Sequence, residues 1–502
     1  MNRRNFLTQT AVPLLGAAAP AHSKRERRNV VLLYCEQFQH DVASFAGGPA
    51  KTPNLEKFAA GAVNFRTACT TTALCSPARG ALFTGRLGHR TGMEDNPYGW
   101  HSRDTALDMR HTTLIEWARQ KDYFVGYFGK WHLGHNGPIH RGAQRYPAAG
   151  FEPPRIPGKT MKPDFSLTRP FYEKGRTFPE KRGFYATAKG SYETCPSHNV
   201  AQSGVGFLKE AAERDQPFFL TASFMAVHPP YDVPAPYNTM YDWRSTSLPA
   251  NLHDNFANKP SYQADVMWPF HDTAHMSEDD WRRCTAFYHG YVTLLDRALG
   301  ELLDAIEANH LRENTLVVVI ADHGDMTGAH NRYDKGPYSY DEVMRIPLLV
   351  RWPGMAPREV VRHVHSMDVN RTIVEWAGLE PVDPNVDSRS LRPLMERGDS
   401  GWNVPDEAFY RYEWYNGLWF GVRAIRTPEF KYCFNPAGID ELYDLRKDPA
   451  ELNNCIDTPA VASVQRNLED RLLEYLEQTQ DTLVAGRLRD YLAAHRRVKP
   501  RN

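Results

Sequence analysis

Two acidic dipeptides stand at the ends of apolar, β-branched runs. Glu36-Gln37 follows NVVLLYC (29–35), and Asp322-His323 lies in TLVVVIADHG (315–324). Brought together from two buried strands, two carboxylates, an amide oxygen and an imidazole could hold a divalent cation. Mostly oxygen donors favour Ca²⁺ or Mg²⁺, and the imidazole leaves Mn²⁺ or Zn²⁺ open. An acid at a strand end is also an ordinary helix cap, so the surroundings must decide. A second stretch, CSPARGALFTGR (75–86), sets a thiol, a proline and an arginine within five residues. A disulfide does not need those neighbours. A cysteine-based metal site would want a second cysteine or a histidine two to five residues away, and none is there.

Those residues need a scaffold. The runs at 29–35 and 315–324, with QPFFLTASF (216–224) and RIPLLVRWPG (345–354), read as strands buried on both faces. Helical stretches alternate with them: TTLIEWARQ, SGVGFLKEAAERD and the long DDWRRCTAFYHGYVTLLDRALGELLDAIEAN. Alternation of this kind predicts an α/β fold, a large mostly parallel central sheet flanked by helices. Ligands bind such sheets outside the carboxyl ends of the strands, where both dipeptides lie. The stretch from Pro138 to Glu193, rich in Pro, Gly, Lys and Arg, reads as an elaborated surface region around a site entrance. From about Asp406 a smaller C-terminal α+β unit with an antiparallel sheet is expected. GVRAIRTPEFKYCFN has the alternation of a hairpin turning at Thr427-Pro428, and DELYDLRKDPAELNN supplies a further strand and turn. VASVQRNLEDRLLEYLEQTQD is an amphipathic helix, expected to cover one edge of the main sheet.

The 502 residues carry 60 Lys and Arg against 60 Asp and Glu, which gives no electrostatic case for nucleic acid or an anionic membrane. The N-terminus, MNRRNFLTQTAVPLLGAAAPAHS, pairs Arg3-Arg4 ahead of a mildly apolar stretch and the small-x-small triplet Ala19-Pro20-Ala21. It resembles a twin-arginine signal, which sends folded proteins across the inner membrane. Its apolar part is too short to span a bilayer, so stable membrane insertion is not expected. Seven cysteines without a C-x-x-C pair are too few for a disulfide scaffold.

Seven blocks occur in order: NVVLLYCEQFQHD, TPNLEKFAAGAVNF, CSPARGALFTGR, GYFGKWHLG, IADHGDMTGAH, YDKGPYSYDEVMRIPLLVRWPG and ELYDLRKDPAELNN. Together they resemble the formylglycine-dependent sulfatases of the alkaline phosphatase superfamily, from about Asn29 to Glu477. The resemblance thins at 138–195 and 234–280. It implies that a maturation enzyme reads Cys-x-Pro-x-Arg and oxidises Cys75 to the formylglycine aldehyde. One hydroxyl of the hydrated aldehyde then attacks sulfur, and the other lets sulfate leave. By position, Arg79 matches the arginine that holds the diol and metal surroundings. Lys130 and His132 match the contacts to diol and sulfate, with His132 as the base for elimination. His228, in FMAVHPPY, matches a candidate general acid, and Lys335 the lysine that binds sulfate and the leaving oxygen. Glu36, Gln37, Asp322 and His323, with residue 75 itself, match the ligands of one Ca²⁺. Asp325, Asp334, His135 and His330 lie in matching blocks as groups that could orient these.

Glu36 departs from the pattern, because the family usually carries Asp there; Gln37 and His323 are variants that occur together in other members. The resemblance implies a sulfate monoesterase, periplasmic or secreted after folding, acting on a sulfated small molecule or glycan. Its partners would be the maturation enzyme and the twin-arginine machinery. Two other readings stay open: a phosphodiesterase or phosphonate monoester hydrolase of the same superfamily, and an inactive protein that binds sulfated glycans. The expected division is a signal peptide at 1–21, a catalytic domain at 29–400 and a C-terminal subdomain at 406–502.

Overall fold

Seven strands, mostly short, apolar and β-branched, make the central sheet of the computed structural model. The structure describes residues 28–97, 106–146, 163–164, 184–264, 273, 276–378, 386–415 and 417–497. The strands are β1 (Asn29–Cys35), β2 (Val63–Phe65), β3 (Phe124–Gly129), β4 (Phe218–Ser223), β5 (Thr315–Ala321), β6 (Leu348–Arg351) and β7 (Arg358–Val360). Their spatial order is β7-β2-β6-β5-β1-β4-β3. β5, β1, β4 and β3 run parallel, whereas β6 is antiparallel to both of its neighbours. Every residue of β1 and β5 is buried, as continuous apolar runs in a sheet covered on both faces require.

Register fixes where the chemistry falls. Cys35 pairs with Ala321, Tyr34 with Ser223, and Gly129 with Ser223. The four parallel strands therefore end along one line, and the next residues on three of them are Asp322, Glu36 and Lys130. Gly129 is needed at its position. Its φ is 99°, and a Cβ there would lie 1.8 Å from the Ser223 carbonyl oxygen.

The helices are α1 (Cys75–Thr84), α2 (Leu114–Gln120), α3 (Pro196–Ala212), α4 (Glu278–Ala308) and α5 (Asp368–Trp376). α4 starts at a capping box, in which Ser277 Oγ accepts from the Asp280 amide (3.2 Å) and Asp280 Oδ2 from the Ser277 amide (2.9 Å). α1 is buried along its whole length. Its final carbonyls, Leu82 and Phe83, accept from Asn370 Nδ2 at 3.0 Å each. It stops at Gly85, φ 69°, where a Cβ would press on Ser388 Oγ at 2.7 Å. The Thr-Gly-Arg after the cysteine motif is thus the stop of the helix that carries Cys75.

The C-terminal strands β8 (Ala408–Tyr415), β9 (Leu418–Arg426), β10 (Phe430–Phe434) and β11 (Glu441–Asp444) form an antiparallel sheet in sequence order. Strand alternation splits its two faces. Val422 and Ala424 pack toward Leu74, Tyr340 and Val343 of the main body, while Ile425, Tyr432 and Leu442 pack on helices. Those helices are α6 (Ala462–Gln478) and α7 (Thr482–Arg497). Here the structure corrects the sequence expectation. Leu468, Leu472 and Leu476 of α6 cover the outer face of the small sheet, not an edge of the main one, because the small sheet lies between them. Phe409 stacks on Tyr475 at 3.7 Å to fix that docking. All seven cysteines are unpaired. The signal segment and most of 138–193 lie outside the described residues.

Between α6 and α7, buried Asp481 accepts from Arg423 Nε at 2.6 Å. Burial pushes its carboxyl up, but Arg423 and Arg411 outweigh that and hold it at about 2. A depressed folded pKa contributes stability that is present above the unfolded value and lost as pH falls through the folded one. Replacing Asp481→Asn should therefore destabilise by about 2 kcal/mol at pH 7. The gap from wild type in unfolding midpoint should close between about pH 4 and 2. A gap that is constant with pH would show that the charge contributes nothing.

Candidate active site

α1 delivers Cys75 to the line of strand ends, and the side chains there converge. Ligand atoms of Glu36, Cys75, Asp322 and His323 all lie within 4.8 Å of one another. The Cys75 thiol donates to Glu36 Oε1 at 2.9 Å and stands 3.4 Å from His323 Nε2. Glu36, Asp322 and His323 are wholly buried. Glu36 accepts from Arg79 Nη2 at 2.6 Å and from Lys130 Nζ. Arg79 Nε reaches Asp322 Oδ2 at 3.1 Å, its Nη1 donates to Ser223 Oγ at 2.8 Å, and its guanidinium lies 4.5 Å over the Tyr34 ring.

Gln37 sits at φ 55°, in the left-handed region, as do His132 and Asp334. Its Nε2 donates to Asp325 Oδ2 (2.6 Å) and Asp334 Oδ1 (2.7 Å), so the amide oxygen must face the other way, where Lys335 Nζ donates to it at 2.9 Å. Asp325 is held in turn by Tyr231 Oη (2.9 Å) and by the Thr327 amide and hydroxyl, each at 2.8 Å. Lys335 also reaches Asp334 (2.9 Å) and His228 Nε2 (3.4 Å). His228 Nδ1 donates to the Pro229 carbonyl at 2.5 Å, which leaves Nε2 as the acceptor facing Lys335.

The residues suit a divalent cation. His323 Nδ1 donates to the Gly324 carbonyl at 2.8 Å, so the Nε2 lone pair points into the cluster. Burial, then Lys335, pushes that imidazole down to about 3, and it stays neutral. Burial and the neighbouring Glu36 push Asp322 up to about 7. Burial pushes Glu36 up as well, but Lys130 and Arg79 outweigh it and leave it well below the usual carboxylate range. Four carboxylates (Glu36, Asp322, Asp325, Asp334) face three cations (Arg79, Lys130, Lys335). Burial and Asp334 push Asp325 up to about 7 as well, and a divalent cation beside these groups would favour the ionised form of both raised carboxylates.

Burial, then Lys130, holds the His132 imidazole well below its ordinary range. His228 is pushed to about 3 by burial and then Lys335. Burial and Glu36 push the Cys75 thiol up to about 12. Of the orienting candidates, Asp325 and Asp334 join the site. His330 does not: it pairs with Asp254 at 2.6 Å and stacks on Tyr340 at 3.7 Å. His135 is exposed. Sequence reading missed Ser223, although the strand-end rule applied to β4 points to it, and Tyr231, whose hydroxyl gave no sequence signal.

The family profile described as Sulfatase matches residues 28–379 of this chain. The chain belongs to the sulfatase family. A second profile, the C-terminal part of N-sulphoglucosamine sulphohydrolase, matches residues 328–478. The sulfatase is 29% identical over 449 residues to an uncharacterized sulfatase, YidJ, of Escherichia coli K12, covering 88% of this chain and 85% of the other. It is 24% identical to an N-acetylglucosamine-6-O-sulfatase of Bacteroides thetaiotaomicron, covering 95% and 90%. Among solved structures, a phosphonate monoester hydrolase from Silicibacter pomeroyi superposes with a TM-score of 0.72 at 21% identity, over 91% of this chain and 96% of that one. The protein is a hydrolase of the alkaline phosphatase superfamily, a sulfatase. No helix among the described residues is long and apolar enough to cross a membrane.

Proposed function

We propose that this sulfatase hydrolyses a sulfate monoester on a carbohydrate, with Cys75 converted to formylglycine and Ca²⁺ bound by Glu36, Gln37, Asp322, His323 and residue 75. The observation that carries the reading is Cys75 of a Cys-x-Pro-x-Arg segment placed at the first turn of α1 among four convergent ligand atoms. The relative named for N-acetylglucosamine-6-O-sulfate supports a sugar substrate. A hydrated aldehyde at position 75 supplies one hydroxyl to take the sulfuryl group and another to expel sulfate. The cation would neutralise charge on the sulfate oxygens.

The rest of the work falls to fixed side chains. Arg79 holds Glu36 and Asp322 in place. Lys130 and Lys335 clamp the ester's oxygens as charge builds toward the leaving group. His132, neutral by burial, is suited to take the proton that triggers sulfate release. The Pro229 carbonyl keeps His228 Nε2 toward Lys335, so a proton for the leaving oxygen comes from this pair. Export through a twin-arginine signal at 1–21 to the periplasm completes the reading, with residues 29–400 as catalytic domain and 406–502 as its C-terminal subdomain.

The deciding experiment joins chemistry to specificity. Protein made beside a competent maturation enzyme should give a residue-75 peptide in which oxygen replaces sulfur and two hydrogens are lost. The same preparation should cleave an aryl sulfate in preference to an aryl phosphodiester, and more so with Ca²⁺. Fully active protein with only a free thiol would sink the mechanism, and preference for the diester would favour the phosphonate-hydrolase reading. His228→Ala should cut kcat/KM about 10²–10⁴-fold on a sugar sulfate and far less on a nitrophenyl sulfate, whose leaving group needs no proton. Equal losses on both would remove His228 from that role.

A further inference from the structure

A cavity of about 590 Å³ opens beside α4, between the segment after β1 and the loop at 241–251. Cys75, Lys130, His132 and His228 are absent from its lining, so it is separate from the catalytic cluster. Its volume falls in the range that holds small-molecule ligands. His289 of α4 is 6% exposed and lines this cavity. Its ring nitrogens make no hydrogen bond among the described residues, and its ring contact is edge-on to Tyr241 at 5.5 Å. Burial pushes the imidazole down to about 4, so it is neutral, with one donor and one acceptor to offer. Its nitrogens are not among the inaccessible polar atoms, so they can be reached from the cavity and are free to pair with a ligand in place of water.

The lining also selects by charge. It contains no lysine or arginine. Its acids remain available as acceptors: Asp41 and Asp242 are each 59% exposed beside Arg345 (2.6 Å) and Arg244 (3.4 Å), and Glu342 accepts from the neutral Asn251 amide (2.7 Å). A sulfated or phosphorylated ligand would find no cation there, whereas carboxylates are ready acceptors for the hydroxyls of an uncharged ring. Beside them are three hydroxyls, on Ser247, Ser245 and Thr246, next to the apolar faces of Tyr241, Leu248 and Pro249; those of Ser245 and Thr246 donate to the Asp242 carbonyl (3.0 and 3.2 Å) and keep their acceptor side. Hydroxyls and an imidazole against ring faces suit an uncharged, polyhydroxylated ring.

We propose that this cavity is a second binding site, for an uncharged sugar unit, with His289 as its central hydrogen-bonding group. The unit is either a free hexose or a neutral residue of a longer chain. Two walls of the site are groups that hold the catalytic side in place. The Tyr288 hydroxyl donates to the Gln37 carbonyl at 3.0 Å, and Thr327 holds Asp325.

The test is equilibrium binding of D-glucose, D-galactose and the neutral tetrasaccharide cellotetraose to the full chain, by calorimetry and ligand-observed NMR. Wild type should bind at least one of them with a millimolar dissociation constant. His289→Phe, which removes both ring nitrogens, and Ala250→Trp, which fills the mouth from an exposed position, should each weaken binding at least tenfold. Cys75→Ala should bind as wild type does, so the outcome does not depend on the sulfatase chemistry. Binding of monosaccharides as tight as that of the tetrasaccharide assigns a free hexose; binding of the tetrasaccharide alone assigns a chain unit. Absence of binding by all three probes, or binding unchanged in both cavity variants, overturns the proposal and leaves a water-filled cleft.

Discussion

Replacing Cys75 by alanine should lower kcat/KM for a sulfate ester at least about 10⁴-fold, while the fold keeps its stability to within about 1 kcal/mol. The asymmetry follows from the structure. The Cys75 side chain is 1% exposed but adds little volume, and its partners are polar atoms that retain others: Glu36 keeps Arg79 and Lys130, and His323 keeps the Gly324 carbonyl. In the proposed mechanism its chemistry has no substitute, because only a hydrated aldehyde at position 75 would both receive a sulfuryl group and release it unaided. Serine sharpens the test. Cys75→Ser, made in a host without the maturation enzyme, presents one hydroxyl at the same point. It should take up sulfate once and stop, because a serine sulfate has no second hydroxyl to expel it. Rapid-mix kinetics should show one equivalent of alcohol released per enzyme and then no turnover. Steady turnover by the serine variant would mean that water, not residue 75, releases sulfate.

The strands that carry the site were legible for a simple reason. β1 and β5 are buried on both faces, so their composition alone marks them, and a polar residue at the end of such a run stands out. Glu36, Gln37, Asp322 and His323 were visible in that way. β3 was not, because FVGYFG contains two glycines. One of them, Gly129, is present to let the chain pass the Ser223 carbonyl and set Lys130 in line with Glu36. Lys130 was therefore reachable only through its resemblance to a known block. The docking of α6 was misread because amphipathicity says that a helix has a buried face but not what faces it. The small sheet turned out to have two apolar faces, with Ala424 and Ile425 on opposite sides. The cavity beside α4 gave no signal, since its lining comes from separate segments that meet only in the fold.

Glu36→Ala should be the most damaging substitution to the unliganded protein, costing about 3–5 kcal/mol. The sequence resemblance implies aspartate at this position; the longer glutamate side chain reaches two cations on different elements, Arg79 on α1 and Lys130 after β3. Both are essentially inaccessible to solvent. Without Glu36, Arg79 retains Asp322 at 3.1 Å, but Lys130 loses its carboxylate partner. An ammonium buried without compensation is the expensive outcome. Glu36→Gln keeps the volume but not the charge, so it should resemble alanine in unfolding midpoint with chelator present. Glu36→Asp keeps the charge and shortens the reach, and should fall between wild type and the two uncharged variants. Calcium then separates scaffold from ligand. If Glu36 binds the metal, added Ca²⁺ should raise the unfolding midpoint of wild type and of Glu36→Asp. It should raise those of Glu36→Ala and Glu36→Gln much less, because binding stabilises only in proportion to affinity. Ca²⁺ should restore activity only partly in the two uncharged variants, and closer to fully in Glu36→Asp, since calcium tolerates a change of ligand distance. Unchanged metal content and activity in Glu36→Ala would assign Glu36 to the ion-pair network alone, and the metal's carboxylate would have to come from Asp322 without it.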